Sequence, residues 1–120
     1  MNILGIDHGE KRFGLALLNQ SVGVILPFGI IEAKNWRTDL VNLIKTEKID
    51  QVVLGLPINL AGEETEHTKI IREFAVELNL LTSVLIEFVD ERFTTHAANR
   101  MGGESSVDEK AAMLMLESYL

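Results

Sequence analysis

The first seventeen residues, MNILGIDHGEKRFGLAL, constrain the fold of this chain most strongly. An apolar run leads to Asp7, a turn follows around Gly9, and a second apolar run continues to Leu17. Two apolar runs joined by a short turn that contains glycine predict an antiparallel β-hairpin. The first strand then ends in a carboxylate, which is a poor core group but a good ligand for a hard cation that itself holds phosphate oxygens.

The patterns that follow predict strands that alternate with helices. A third strand is expected over residues 22–31, where Pro27 indicates a sheet edge or a bend because proline lacks a backbone N–H. Changes of apolar period predict the remaining elements in this order: helix 35–48, strand 51–55, helix 67–78, strand 84–89, and helices 94–101 and 107–120.

This order of elements predicts an α/β fold. The three opening strands are joined by short turns and should be antiparallel neighbours. The later strands are separated by helices and should run parallel to the first strand through right-handed crossovers. The result is a five-stranded mixed sheet with helices on both faces, which is the architecture of the ribonuclease H fold. We expect residues 1–120 to form one such domain.

Composition limits the classes of function. The chain has 47% hydrophobic and 24% charged residues, no cysteine, no apolar run of membrane-spanning length and no secretion signal pattern, so a cytoplasmic globular protein without membrane association is expected. The net charge of −7 argues against indiscriminate coating of nucleic acid. It does not argue against an enzyme that binds a few phosphates through metal ions.

Three acidic positions should meet at one edge of the sheet. Asp7 ends the first strand and Asp90-Glu91 end the fifth, and parallel strands present their carboxyl ends at a common edge. Successive strand residues point to opposite faces, so only one of Asp90 and Glu91 should enter a shared site. Asp7 also has a simpler interpretation, as a residue that forms the turn.

Asp108 is the third acidic position, at the start of the last helix. It lies on the same helical stripe as Ala112 and Met115, which places it toward the sheet. The alternative is that it serves the helix N-terminus, where acids are favourable and where Ser105 or Ser106 would form a capping box. Three carboxylates together would bind Mg²⁺ or Mn²⁺ and support hydrolysis of a phosphodiester.

Several polar residues near this edge are further candidates. Lys11 and Arg12 follow Asp7 and would contact phosphate oxygens, unless they form only a solvated hairpin tip. Asn59, in the loop after the fourth strand, would bind phosphate or merely close that loop. His8 is a candidate proton shuttle, whereas His67 is expected on the apolar side of its helix.

Four segments resemble the YqgF family, which is also called RuvX-like. They are GIDHGEKRFGLAL, VVLGLPINLAGEETEHT, VDERFTTHAANRM and VDEKAAMLMLESYL, and the resemblance runs from Ile3 to Leu120. Family members are ribonuclease H-fold proteins described as nucleases for pre-16S ribosomal RNA and earlier as Holliday junction resolvases.

The resemblance implies roles for specific residues. The acidic triad of the family falls on Asp7, Glu91 and Asp108, which would bind Mg²⁺ or Mn²⁺ and carry catalysis. Lys11, Arg12, Asn59 and Arg92 are then the candidates for substrate binding, and Arg92 is expected mainly to orient Glu91. The loop before the last helix, 102–106, is shorter than is usual in the family and carries only one charge.

The resemblance implies a metal-dependent phosphodiester nuclease that processes the 5′ end of pre-16S ribosomal RNA. Its partners would be nucleic acid, RNA rather than DNA, and ribosomal precursor particles, and it would be a monomer or a weak homodimer. Resolution of four-way DNA junctions and a noncatalytic RNA- or ribosome-associated role remain alternatives. An actin-like ATPase is disfavoured because that machine needs two such domains, and 120 residues supply one.

Overall fold

The computed structural model describes residues 1–90 and 106–119. Its elements in chain order are β1 Asn2–His8, β2 Arg12–Asn19, β3 Val24–Glu32, a 3-10 turn Ala33–Asn35, α1 Trp36–Thr46, β4 Gln51–Leu56, α2 Glu66–Thr82, β5 Leu85–Asp90 and α3 Val107–Tyr119. The predicted short helix 94–101 lies outside the described residues. No helix in the described ranges is long and apolar enough to cross a membrane.

The five strands form one mixed sheet in the order β3-β2-β1-β4-β5. The first three strands are antiparallel neighbours, whereas β1, β4 and β5 are parallel. The predicted topology is therefore confirmed. Pro27 lies in β3, which is an edge strand, and the pairing of β2 with β3 shifts register between Gly14 and Ala16. Both features agree with the edge or bend that the proline predicted.

Helices cover both faces of the sheet. The face covered by α1 and α2 is the larger core and includes Leu4, Ile6, Phe13 and Leu54. The opposite face is covered by α3, which buries Ala112, Met115 and Leu116 against β1, β2 and β4. Alternate strand residues thus pack into two different layers, as the period of two in a strand requires.

Small residues let α3 approach the sheet closely. Gly5 faces the helix, and a Cβ atom at this position would lie 2.8 Å from Leu116 Cγ and 3.0 Å from the Ala112 carbonyl oxygen. The far end of the helix is held by a hydrogen bond of 2.7 Å from the buried Gln51 Nε2 to the Tyr119 hydroxyl. The Tyr119 contact satisfies a polar side chain that would otherwise be costly to bury.

Helix α2 differs from its sequence prediction at its first turn. His67 is exposed, and Thr68 is the fully buried residue instead. Thr65 and Thr68 form a capping box, and the Thr68 hydroxyl donates a hydrogen bond to the Pro57 carbonyl oxygen. The buried stripe therefore starts at a threonine that ties the helix to the preceding loop, a contact that apolar periodicity does not detect.

Candidate active site

Asp7 and Asp108 are brought together across Gly14. Asp7 is directly opposite Gly14 in the antiparallel pairing of β1 with β2, so both positions point to the face covered by α3. A Cβ atom on Gly14 would lie 2.7 Å from Asp108 Cβ and 2.1 Å from the Asp108 carbonyl oxygen. The first turn of α3 therefore rests on bare backbone beside the half-buried Asp7. This contact places Asp108 on the same face of the sheet as Asp7, next to Gly14.

The carboxylate of Asp108 is engaged by Arg12. Arg12 Nε donates to Asp108 Oδ2 at 2.7 Å, and the side chain of Asp108 is 27% exposed. Arg12 lies two residues before Gly14 on β2 and so shares its face. The pair links the hairpin to α3 at the position where a cation near Asp108 would be held.

Asp108 does not cap its own helix. Ser106 and Glu109 form the capping box: Ser106 N and Oγ donate to Glu109 Oε1, and Glu109 N donates to Ser106 Oγ, over distances of 3.1 to 3.2 Å. The expectation that a serine and an acid three residues later form this motif is confirmed for Ser106. Because Glu109 fills the capping role, the carboxylate of Asp108 is left to face the sheet.

Glu109 also ties α3 to β3. Its Oε2 accepts a hydrogen bond of 2.7 Å from the backbone N–H of Gly29, which has a φ of +94° beside the register shift. Burial alone would raise the pKa of Glu109, but the hydrogen bonds from Gly29 and Ser106 outweigh it and lower the pKa. The ionised form of Glu109 therefore holds the start of α3 in place.

An open cleft of about 180 Å³ lies beside this pair. The described residues that line it are Gly9, Glu10, Lys11, Arg12 and Asp108. The turn closes through a hydrogen bond of 3.1 Å from Gly9 N to the Arg12 carbonyl oxygen, and a Cβ on Gly9 would come within 2.4 Å of that oxygen. The charged lining of the cleft is balanced, with Lys11 and Arg12 matched by Glu10 and Asp108, and both basic side chains are exposed.

His8 lies on the other side of the sheet from Asp7. Its ring centroid is 4.4 Å from that of Phe13 and 4.7 Å from that of Phe74, both in the core under α1 and α2. Burial, with a smaller contribution from His67, lowers the pKa of His8 to about 4. The imidazole is neutral at pH 7 and directed away from Asp7, so the structure does not support the predicted proton shuttle.

Of the two acidic residues predicted at the end of β5, Asp90 lies within the described residues. Asp90 pairs with Leu56 in the parallel register, and Leu56 belongs to the core under α1 and α2. Asp90 therefore points away from the face that carries Asp7 and Asp108. Glu91 and Arg92 lie outside the described residues, and their predicted roles remain predictions.

Asn59 closes its own loop. Its Oδ1 accepts hydrogen bonds of 3.0 Å from Ala61 N and 2.9 Å from Glu63 N, and its backbone N–H donates to the Glu63 carbonyl oxygen at 3.0 Å. The loop follows β4, the parallel neighbour of β1, and so leaves the sheet at the edge that carries Asp7. Asn59 is exposed there, and its predicted contact with phosphate remains a prediction.

The donor set suits a hard divalent cation. Asp7 and Asp108 supply carboxylate groups on the same face, and the absence of a side chain at Gly14 lets the backbone of Asp108 lie close to β2. Within residues 1–90 and 106–119, no group of three or more His, Cys, Asp and Glu side chains is placed to bind a metal ion.

Comparison with known proteins identifies the family. Residues 1–120 match the family described as "RuvX: Holliday junction resolvase". The chain belongs to the RuvX family. One relative is a Rickettsia africae protein named "Putative pre-16S rRNA nuclease", which is 36% identical over 130 aligned positions that cover 98% of this chain and 84% of the relative. The resemblance to this family in the sequence is thus confirmed.

Solved structures confirm the fold that the RuvX family shares with resolvases. Thermus thermophilus RuvC in complex with a Holliday junction substrate aligns with a TM-score of 0.65 and 12% identity, covering 99% of this chain and 94% of RuvC. The fowlpox virus Holliday junction resolvase aligns with a TM-score of 0.59 and 17% identity, covering 99% of this chain and 97% of the viral protein. The ribonuclease H-like architecture of this RuvX-family chain is therefore secure.

Sequence reasoning missed two residues that build the site. They are Gly14, on which the first turn of α3 rests, and Glu109, which holds that turn against β3. A signal for the close helix was nevertheless present, because Gly5, Gly14 and Ala16 are small residues at alternate strand positions of one face. No sequence signal indicates that Glu109 reaches Gly29.

Proposed function

We propose that this chain is a divalent-metal-dependent nuclease that hydrolyses a phosphodiester at the 5′ end of pre-16S ribosomal RNA. The observation that carries the proposal is the placement of Asp7 and Asp108 on one face across Gly14, at the edge where parallel strands end. Membership of the RuvX family supports nuclease activity, and the name of the Rickettsia africae relative supports the RNA substrate.

Asp7, Asp108 and Glu91 are the proposed ligands. Asp90 points to the opposite face, and alternation along a strand favours the next residue, Glu91, for the face of Asp7. Bound Mg²⁺ or Mn²⁺ would activate water and stabilise the leaving oxygen. The cytoplasm predicted from the sequence is the compartment in which ribosomal RNA is processed.

Lys11 and Arg12 would bind the phosphate of the substrate. Both line the cleft beside Asp108, and the guanidinium of Arg12 is suited to two oxygens of one phosphate. Asn59 and Arg92 are proposed to assist, Asn59 from the loop after β4 and Arg92 by orienting Glu91. In this arrangement the acidic residues face the metal and the basic residues face the backbone of the RNA.

Cleavage of four-way DNA junctions is the second candidate. It is supported by the family description and by the similarity of the fold to that of Thermus thermophilus RuvC. Resolution of a junction requires two active sites in symmetric positions, so it calls for a dimer. A monomer in solution that cuts only RNA would favour the first proposal.

The test compares both substrates directly. End-labelled pre-16S ribosomal RNA and a four-way DNA junction are incubated with the protein and Mg²⁺, Mn²⁺ or EDTA. We expect RNA cleavage that requires metal and is lost in Asp7→Asn and Asp108→Asn. Asp39→Asn is the matched control, because Asp39 is exposed on α1 at the opposite face.

Other outcomes separate the candidates. Symmetric cuts in the junction with intact RNA would assign the resolvase activity instead. Binding of RNA without cleavage by the folded wild-type protein would contradict both and favour a noncatalytic factor. Melting curves of each variant would show whether loss of activity reflects loss of the fold.

A further inference from the structure

A larger groove continues from the candidate site toward the edge of the sheet. It has a volume of about 710 Å³ and shares Glu10, Lys11 and Arg12 with the small cleft beside Asp108. Its volume falls within the range of roughly 300 to 1,000 Å³ that is usual for ligand sites. The two spaces are adjacent, so one ligand can occupy both.

The far wall of the groove is held against the hairpin. Ala33 N donates a hydrogen bond of 2.9 Å to the Lys11 carbonyl oxygen, which fixes the 3-10 turn after β3 beside the turn after β1. Glu32 pairs with Arg12, and Ile30 pairs with Gly14, so both point to the face of α3. Ile30 and Glu32 therefore lie on the same face as Asp7 and Asp108, whereas Ala33 packs against the core under α1 and α2 at the edge of the groove.

The floor of the groove is apolar. Ile30 is 43% exposed although it is a large aliphatic residue, and Ala33 lines the groove next to it. The bases of single-stranded RNA can be splayed out, and an exposed aliphatic side chain offers such a base an apolar contact. A duplex would keep its bases stacked inside the helix and could not use this surface.

The groove carries a small excess of basic side chains in an acidic chain. Lys11, Arg12 and Lys34 line it beside Glu10 and Glu32, and Arg12 is also paired with Asp108, whereas the whole chain has a net charge of −7. Lys34 is 78% exposed, and its Nζ lies 3.4 Å from Glu32 Oε2. An exposed ion pair of this kind has a small interaction free energy, so a phosphate group can displace Glu32 from Lys34.

We propose that this groove binds single-stranded RNA next to the bond to be cut, with Lys34 on a backbone phosphate and Ile30 against a base. The proposal rests on the proposed function, since it extends the substrate path of the same site. In this arrangement the substrate is single-stranded, and the edge strand β3 contacts it.

The test measures binding rather than cleavage. Fluorescence anisotropy gives the affinity of the full chain for a short single-stranded RNA and for the same sequence as a duplex, in EDTA and at several salt concentrations. Lys34→Gln should weaken single-strand binding about threefold and reduce the salt slope by roughly 0.7, the value for one phosphate contact. Lys69→Gln, an exposed lysine on α2, is the matched control and should change neither.

A second variant tests the apolar contact between Ile30 and a base. Ile30→Ser should weaken single-strand binding while leaving the salt slope unchanged, because it removes an apolar contact and no charge. Equal losses for single strand and duplex, or equal behaviour of Lys34→Gln and Lys69→Gln, would overturn the proposal, as would failure of the wild-type protein to bind single-stranded RNA.

Failure of the two proposals can be distinguished. Metal-dependent cleavage with no effect of Lys34→Gln on RNA binding would contradict the proposed RNA groove and support the proposed nuclease activity. If the protein binds single-stranded RNA in a manner that depends on Lys34 but cleaves no substrate, the RNA groove is supported and the nuclease activity is contradicted.

Discussion

Arg12 Nε lies 2.7 Å from Asp108 Oδ2, so a proposed phosphate ligand is paired with a proposed metal ligand. The arginine supplies the positive charge that a metal ion would otherwise bring to this carboxylate. A metal ion that binds Asp108 through Oδ2 would therefore compete with Arg12, and a released Arg12 would be available for the phosphate.

Replacement of Arg12 should separate these two functions. In Arg12→Gln we expect Mn²⁺ to bind about two- to fivefold more tightly, since exposed ion pairs contribute roughly 0.5 to 1 kcal/mol. RNA should bind more weakly in the same variant. Electron paramagnetic resonance of free Mn²⁺ and anisotropy of labelled RNA measure the two affinities. Arg37→Gln, which removes an arginine on the other face, is the control; unchanged Mn²⁺ binding in Arg12→Gln would contradict the competition.

Gly14→Ala should damage the site through the position of α3. A methyl group would collide with backbone atoms of Asp108, which cannot rotate away as a side chain can. We expect a loss of stability of several kcal/mol, typical of overpacking against a rigid neighbour, or a displaced helix with weak metal binding.

The control for this variant is Gly23→Ala. Gly23 has a φ of +76° in the turn between β2 and β3, at the opposite end of the hairpin from Arg12, so alanine there costs about 1 kcal/mol through backbone strain. It should leave Mn²⁺ affinity unchanged. Chemical denaturation and metal titration on both variants make the comparison, and normal stability with normal metal binding in Gly14→Ala would refute the close approach.

Glu109→Gln should loosen the start of α3. The amide keeps the size of the side chain but removes the charge that strengthens the bonds from Gly29 and Ser106. A destabilisation of roughly 1 to 2 kcal/mol is expected, as for a partly buried hydrogen bond to a charged group. Hydrogen exchange of the Gly29 amide should accelerate. Glu117→Gln, near the far end of the helix, is the control, and equal exchange rates at Gly29 would show that the brace is unimportant.

His8 should make the fold sensitive to mild acid. The folded protein holds the pKa of His8 near 4, below the usual value of 6.5, so the unfolded chain binds the extra proton first as pH falls. Stability should therefore decrease as pH is lowered from about 6.5 to 4, on the order of 1 to 2 kcal/mol given that the ring is only partly buried.

The variant His8→Phe removes this titration while keeping an aromatic ring beside Phe13 and Phe74. The difference in unfolding free energy between wild type and His8→Phe should change over this pH range and level off above about pH 7. A difference that is constant with pH would show that His8 is not held neutral by the fold.

The fold was predictable because its signals are local. The apolar periods and short turns defined the described strands and helices to within a few residues, and the hairpin followed by alternating strands and helices fixed the topology. His67 was misplaced because hydrogen bonds at the start of α2, between Thr65, Thr68 and Pro57, determine which side of the first turn is buried.

The site was predictable only in outline. Shared strand ends and helical phase located Asp7 and Asp108 at one edge. Three contacts of the site were not predictable. Arg12 pairs with Asp108 and Glu109 bonds to Gly29 across 96 and 80 positions of sequence, and Gly14 contacts the backbone of the helix. Such distant contacts depend on the packed structure, and one sequence does not encode them in any local pattern.

Helix α3 combines a structural role with a proposed catalytic one. In the described part of the chain it alone covers one face of the sheet, and its first turn carries Asp108, a proposed metal ligand. Under the proposed function, mutations along this helix affect both folding and metal binding. A substitution that relaxes the packing of Leu116 on Gly5 will also alter the geometry around Asp108, so stability and activity should be lost together rather than exchanged for one another.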